Sequence, residues 1–202
     1  MARIKICGLF RARDIDFANE AEPDYVGFVF APSRRQITAA AAAGFREKLK
    51  SGVVPVGVFV NAAIQEIVSL FQNGVIEIAQ LHGEEDAVYI EALKQRCSVP
   101  VIKAVRVETV QSAPRAEQLP ADYLLLDNGA GGSGQTFNWD LIGKVETPYF
   151  MAGGIHARNI DGALSLNPYA IDVSSGAETQ GMKDLDKMIA LVRRTRAWGI
   201  DV

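Results

Sequence analysis

The chain has 202 residues, 49% of them hydrophobic and 22% charged, enough for one domain with a sizeable core and far from the composition of a disordered chain. Its 21 basic and 24 acidic residues leave a formal net charge of −3, so a general affinity for nucleic acid or an anionic membrane has no electrostatic support. No apolar run approaches the ~20 residues that span a bilayer, and Met1 to Gly8 has neither an h-region nor a small-residue cleavage site, which predicts a cytoplasmic protein.

Short runs rich in β-branched and aromatic residues recur along the chain, and each reads as a strand. The first is Ile4-Lys5-Ile6-Cys7, followed by Gly8. Tyr25 to Phe30 is the second and leads into Pro32-Ser33-Arg34-Arg35. Thr38 then opens a helix through the alanine run Ala39 to Ala43, capping it with its hydroxyl. Val53 to Val60 is the third strand, and Asn61 opens a helix whose Ile64, Ile67, Val68 and Phe71 share one face, with Gly74 as the stop. Ile76 to Leu81 is the fourth strand and runs into His82-Gly83; a helix over Glu84 to Arg96 follows. The fifth and sixth strands are Val99 to Val105 and Tyr123 to Asp127, the seventh and eighth Tyr149 to Ala152 and Ala170 to Val173. A last helix carries Leu185, Met188, Ile189 and Val192 at helical spacing and ends in arginines that suit its C-terminus.

Several of these strands are apolar at consecutive positions, the pattern of strands covered on both faces. Strand and helix alternate with a period of roughly 25 residues. Eight such units over residues 1–202 predict a single-domain α/β protein, a (β/α)8 TIM barrel near the minimal length for that fold. The stretches 108–118 and 138–144 are weak, so their helices should be short. The rival, an open doubly wound sheet, would bring a GxGxxG turn after its first strand; Cys7-Gly8-Leu9-Phe10 stands there instead.

Reacting groups of such a barrel sit at the carboxyl ends of its strands. There lie Cys7, Arg35, His82, Asp127, Gly153-Gly154, Asp172 and Ser174-Ser175-Gly176. The two glycine sites follow strands seven and eight, where barrels often hold a phosphate on backbone N–H groups. Asp127 follows four apolar or aromatic residues, which favours a desolvated carboxyl that keeps its proton. Cys7 is either a buried small hydrophobe or a thiol activated by a cation such as Lys5. Arginine at 34 or 35 can grip a carboxylate or phosphate, or simply be solvated. His82 reads as a structural histidine or as a substrate contact, and Asp172 reads as support for the serine loop. Gly129 to Thr136 nearly matches the phosphate loop GxxxxGK(S/T), but Gln135 replaces its lysine; a loop closing over the site is the better reading. Cys7 and Cys97 lie 90 positions apart without a CxxC, which supports neither a disulfide framework nor a zinc site.

Together these residues resemble the phosphoribosylanthranilate isomerase family of tryptophan biosynthesis. The resemblance rests on Lys5-Ile6-Cys7-Gly8, Val26-Gly27-Phe28-Val29-Phe30 with Ser33-Arg34-Arg35, Val56 to Asn61, and Gln80-Leu81-His82-Gly83. It continues through Leu126-Asp127, Gly132 to Trp139, Ala152-Gly153-Gly154 and Asp172 to Gly176. It departs at Gln135, where a lysine is frequent. The resemblance implies a barrel without metal or organic cofactor, a phosphorylated aminosugar as substrate, and an Amadori rearrangement. It implies Cys7 as general base, Asp127 as general acid, Arg35 on the anthranilate carboxylate, and the glycine sites on the phosphate. A monomer or homodimer is expected. Two rival readings are an enzyme like indole-glycerol-phosphate synthase, which uses lysine and glutamate, and a non-catalytic sugar-phosphate-binding barrel.

Overall fold

The computed structural model describes residues 2–128 and 138–199; the glycine loop at 129–136 lies outside them. Eight parallel strands form a closed barrel in sequence order: β1 (Arg3–Cys7), β2 (Tyr25–Val29), β3 (Val54–Phe59), β4 (Ile78–Leu81), β5 (Val101–Arg106), β6 (Tyr123–Asp127), β7 (Tyr149–Met151) and β8 (Ala170–Val173). β1 pairs with β2 on one side and β8 on the other, which closes the cylinder. The outer helices are α1 (Ala12–Ala21), α2 (Ala39–Lys48), α3 (Ile64–Gln72), α4 (Ala87–Arg96), α5 (Ser112–Ala116), α6 (Ile160–Ser165) and α7 (Leu185–Ala197). As the weak stretches implied, α5 is five residues and Trp139–Leu141 is a single 3-10 turn.

Each strand exposes alternate residues to two different environments. Residues facing outward, such as Ile4, Ile6, Val26, Phe28, Leu124 and Leu126, join one continuous core with the helices. Those facing inward at the lower end, including Tyr25, Val56, Ile78, Ile102, Leu125 and Phe150, form a second, smaller core inside the cylinder. Tyr25 and Tyr123 meet the Phe150 ring edge-on, at centroid distances of 5.4 and 5.7 Å. The consecutive apolar residues are therefore two interleaved faces, each buried.

The alanine helix is capped as expected: the Thr38 hydroxyl accepts from the Ala41 N–H. Two helix starts differ from the sequence reading. α3 begins at Ile64 behind Ala63, because Asn61 takes a left-handed φ of 50° and its side-chain carbonyl accepts from the Glu84 N–H. α4 begins at Ala87, where the Asp86 carboxylate accepts from the Tyr89 N–H. Helices α1 and α6 are additional to those read from the sequence. α1 buries a charged residue, Asp14, which accepts from the Phe10 and Arg11 N–H groups, and α6 spans only six residues. After β8 the chain makes a tight hairpin of β9 (Glu178–Thr179) and β10 (Met182–Lys183), an element too short for any periodicity.

Candidate active site

The inward face of each strand continues upward from the apolar inner core, and its next position carries the polar groups. On β1 the inward residues are Lys5 and Cys7. Lys5 is fully buried, and its ammonium donates to Gln80 Oε1 at 2.8 Å and to Asp172 Oδ1 at 3.0 Å. The register pairs Lys5 with Asp172 on β8, so strand pairing itself sets this contact. Burial alone would lower the Lys5 pKa, but Asp172 and Cys7 outweigh it and hold the ammonium above its ordinary value. Two residues on, Cys7 lies opposite Gly27 of β2. A methyl group at Gly27 would come within 2.6 Å of Cys7 Sγ, so glycine makes room for the thiol. Burial pushes the Cys7 thiol up; Lys5 and Lys183 oppose that shift and Asp172 adds to it.

Asp127 closes β6, two residues beyond the inner-core Leu125, and is 6% exposed. Burial raises its pKa, against the pull of the Asn128 N–H, which donates to Oδ1 at 2.7 Å, and of His82. His82 follows β4 and places Nε2 at 3.7 Å from Asp127 Oδ2, while its Nδ1 lies 2.9 Å from Gln80 Nε2. Burial depresses the histidine. A chain of polar contacts thus runs from Asp172 through Lys5, Gln80 and His82 to Asp127.

Arg35 is nearly buried, and Glu178 from the hairpin after β8 grips it: Nε donates to Oε1 at 2.8 Å and Nη2 to Oε2 at 3.0 Å. Lys183 donates to the same carboxylate at 2.7 Å, and Arg34 at 2.6 Å. Burial would raise Glu178, but Arg35 and Lys183 overwhelm it and bring it down to about 2. Arg34 thus lies at the hairpin, more exposed than its neighbour, and only Arg35 lines the cavity. Five guanidinium N–H donors exceed what Glu178 uses, so Arg35 retains donors for a second anion.

One cavity gathers these groups. Its wall includes Cys7, Arg35, His82, Asp127, Asp172, Gly153, Gly154, Ser174 and Ser175. Residues at the ends of β2 and β3 add an apolar arc of Val29, Pro32, Val58 and Val60. The ends of β7 and β8 supply the glycine–serine arc, where Gly153 and Gly154 turn with φ of 86° and 63°. In barrel order β1, with Cys7, stands between the two arcs. Gly176 does not face this cavity; it lines the adjoining cleft with Gly154 and Ser175, and a Cβ there would collide with the Ile155 carbonyl. Among the described residues no cluster suited to a metal ion is present.

Sequence reasoning picked out the rim residues but not Gln80, Glu178 or Lys183. Gln80 had a signal: a polar residue inside the run Ile78-Ala79-Gln80-Leu81, two positions before His82 and so on the same face. Glu178 and Lys183 had none, because a tight hairpin brings them together.

A family model described as N-(5'phosphoribosyl)anthranilate (PRA) isomerase matches residues 4–194. The N-(5'-phosphoribosyl)anthranilate isomerase of Endomicrobium trichonymphae is 47% identical over 203 residues, covering 98% of this chain and 100% of the relative. Phosphoribosyl anthranilate isomerase from Thermus thermophilus superposes with a TM-score of 0.87 at 37% identity, covering 96% of this chain and 98% of that one. Another solved phosphoribosyl anthranilate isomerase, in complex with reduced 1-(o-carboxyphenylamino)-1-deoxyribulose 5-phosphate, has a TM-score of 0.84 at 33% identity and covers 98% of this chain and 100% of that one.

Proposed function

The chain belongs to the N-(5'-phosphoribosyl)anthranilate isomerase family, and from that premise we propose that Cys7 and Asp127 are the base and acid of its Amadori rearrangement. Its reaction is an aldose–ketose isomerisation of N-(5-phosphoribosyl)anthranilate to 1-(2-carboxyphenylamino)-1-deoxyribulose 5-phosphate. The observation that carries the assignment is the placement of both groups in one cavity wall, at the ends of β1 and β6.

Asp127 donates its proton to the furanose ring oxygen as the C1–O bond breaks and the nitrogen lone pair forms an iminium. An acid whose pKa is raised by burial still holds that proton where an exposed aspartate has lost it. The iminium acidifies the C2 hydrogen, which the Cys7 thiolate removes to give an enolamine. Protonation at C1 and loss of the hydroxyl proton at C2 then yield the ketone. Lys5 and Lys183 supply the positive charge that makes a buried thiolate attainable. Each proton transfer is worth about 10²–10⁴ in rate.

The apolar arc suits the aromatic ring, and the spare N–H groups of Arg35 suit its carboxylate. The Gly153–Gly154 turn and Ser174–Ser175 suit the phosphate, with Gly176 allowing the loop after β8 to pack against the loop after β7. Asp172 acts on Lys5 rather than on the serine loop, since its carboxylate accepts from that ammonium. Among the described residues the cavity wall holds neither lysine nor glutamate, which argues against the synthase-like alternative. No helix among the described residues is long and apolar enough to cross a membrane, and this reading places the chain in the cytoplasm.

The test is the loss of anthranilate-adduct fluorescence when purified protein meets N-(5-phosphoribosyl)anthranilate. Catalytic loss of that signal supports the reading. Binding without turnover would favour a non-catalytic barrel, and turnover of the ketose product with carbon dioxide release would favour the synthase.

A further inference from the structure

We propose that Gln80 is a tautomer lock, a positioning residue that fixes the His82 proton on Nε2, where it faces Asp127. This inference deepens the proposed function and rests on Asp127 being the acid.

Which groups can donate fixes each proton along this chain of contacts. A lysine ammonium has three donors and no acceptor. The Gln80 atom 2.8 Å from Lys5 Nζ is therefore the carbonyl oxygen, which settles the direction of the amide. Its nitrogen then faces His82 Nδ1 at 2.9 Å. An amide nitrogen only donates, so Nδ1 must accept and carries no proton. The neutral ring keeps its single proton on Nε2, 3.7 Å from Asp127 Oδ2. That separation is longer than a hydrogen bond, as expected of a contact that tightens when charge develops on the acid. The other Asp127 oxygen already accepts from the Asn128 N–H at 2.7 Å.

Only this state of His82 serves the acid at both ends of the step. An imidazolium would draw the proton off Asp127 before substrate could take it. The opposite tautomer would turn a lone pair toward the newly formed carboxylate. Neutral His82 with Nε2–H leaves Asp127 protonated beforehand and donates to it afterwards. The charged groups around the ring are Asp127 from β6, Asp172 from β8, Lys5 from β1 and Lys103 from β5. The two carboxylates favour the imidazolium, while the two ammoniums and burial oppose it. The anchor of the chain is also secure, because Lys5 is itself held charged by Asp172.

The test is nitrogen NMR on the resting protein with labelled histidine. The chain has only two histidines, His82 and His156, so a His156→Gln variant assigns the signals. Near neutral pH, His82 should show a pyridine-type Nδ1 and a pyrrole-type Nε2. In Gln80→Glu the new carboxylate accepts from both Lys5 and Nδ1–H, so both ring nitrogens should become pyrrole-type while the His156 signals stay in place. In that variant kcat should fall about tenfold or more with KM within about twofold, and the limb of the pH profile belonging to Asp127 should move to lower pH. A wild-type His82 protonated on Nδ1, or charged near neutral pH, overturns the lock, as does an unchanged His82 in a folded Gln80→Glu protein. The spectrum needs no substrate: a correct tautomer in a protein without isomerase activity would sink the proposed function, and turnover by a protein with Nδ1–H would sink only the lock.

Discussion

Cys7 illustrates what one position must reconcile. At 8% exposed its thiol resists ionisation, yet the proposed base is the thiolate; Lys5 and Lys183 oppose the penalty and Asp172 adds to it. Cys7→Ser and Asp127→Asn should each lower kcat by about 10²–10⁴ while KM stays within a few-fold, and wild-type turnover in either variant would remove that residue from the chemistry. The active form pairs a thiolate with a carboxylic acid, so kcat should trace a bell whose limbs belong to the two groups as a coupled pair. Lys5→Met leaves burial and Asp172 less opposed, so the limb belonging to Cys7 should move to higher pH; a pH–kcat profile in which it stays put would deny Lys5 that role. Arg35→Ala should raise the dissociation constant of the carboxylated product about tenfold or more, as expected for a lost charge-assisted contact, and equilibrium binding measures it. Cys7 and Asp127 were both legible in the sequence because each ends a run whose apolar members must be buried. Gln80 was harder to see: its polar place two positions before His82 is a signal of its face, but its role depends on its partner Lys5, on a different strand.

Among elements, the β1–β2 pair controls the site most directly. Cys7 is in register with Gly27, and the absent side chain at 27 is the space that Sγ occupies. Gly27→Ala should cost about 1–3 kcal/mol through overpacking and lower kcat further than stability explains, with thiol titration in the native state reporting the displaced Cys7. Unchanged thiol reactivity and kcat would show that the strands part without disturbing the site. The strands themselves were readable within a few residues, because inward and outward positions are both buried and demand apolar residues. The helix starts were less so. Asn61 is a good capping residue by type, but its side chain is taken by the Glu84 N–H across two loops, a long-range bond that no local pattern encodes. The short helix α6 and the hairpin of β9 and β10 have too few residues for a period to show.

For the molecule as a whole, closure of the barrel and the lacing of its rim matter most. α7 packs on α1 and β1, and its Met188 and Leu191 are buried, so Leu191→Ala should cost about 2–5 kcal/mol in denaturant unfolding; a loss under about 1 kcal/mol would mean that the seam between the first and last elements carries little stability. Glu178 ties the hairpin after β8 to the loop after β2 through Arg34 and Arg35, and Lys183 braces the same carboxylate from within the hairpin. Its carboxyl is brought down to about 2 from an ordinary value of 4.5. A depressed carboxyl stabilises the fold above its unfolded pKa, and that contribution disappears as pH falls toward the folded value. The melting temperature should therefore drop between about pH 5 and pH 2, with Glu178 contributing on the order of 3 kcal/mol, and Glu178→Gln should flatten that dependence in a thermal scan. Residue order alone dictated the eight-unit alternation, the burial of both strand faces, and the placement of a thiol, a carboxyl and two glycine turns at strand ends, because those features are local or periodic. Tertiary structure decided which groups touch: that Arg35 answers to Glu178, that Asp172 holds Lys5, and that Gln80 sets His82 toward Asp127. The first two join residues far apart in the chain, and the third carries a local contact on β4 across to the end of β6; only the folded cylinder brings those elements together.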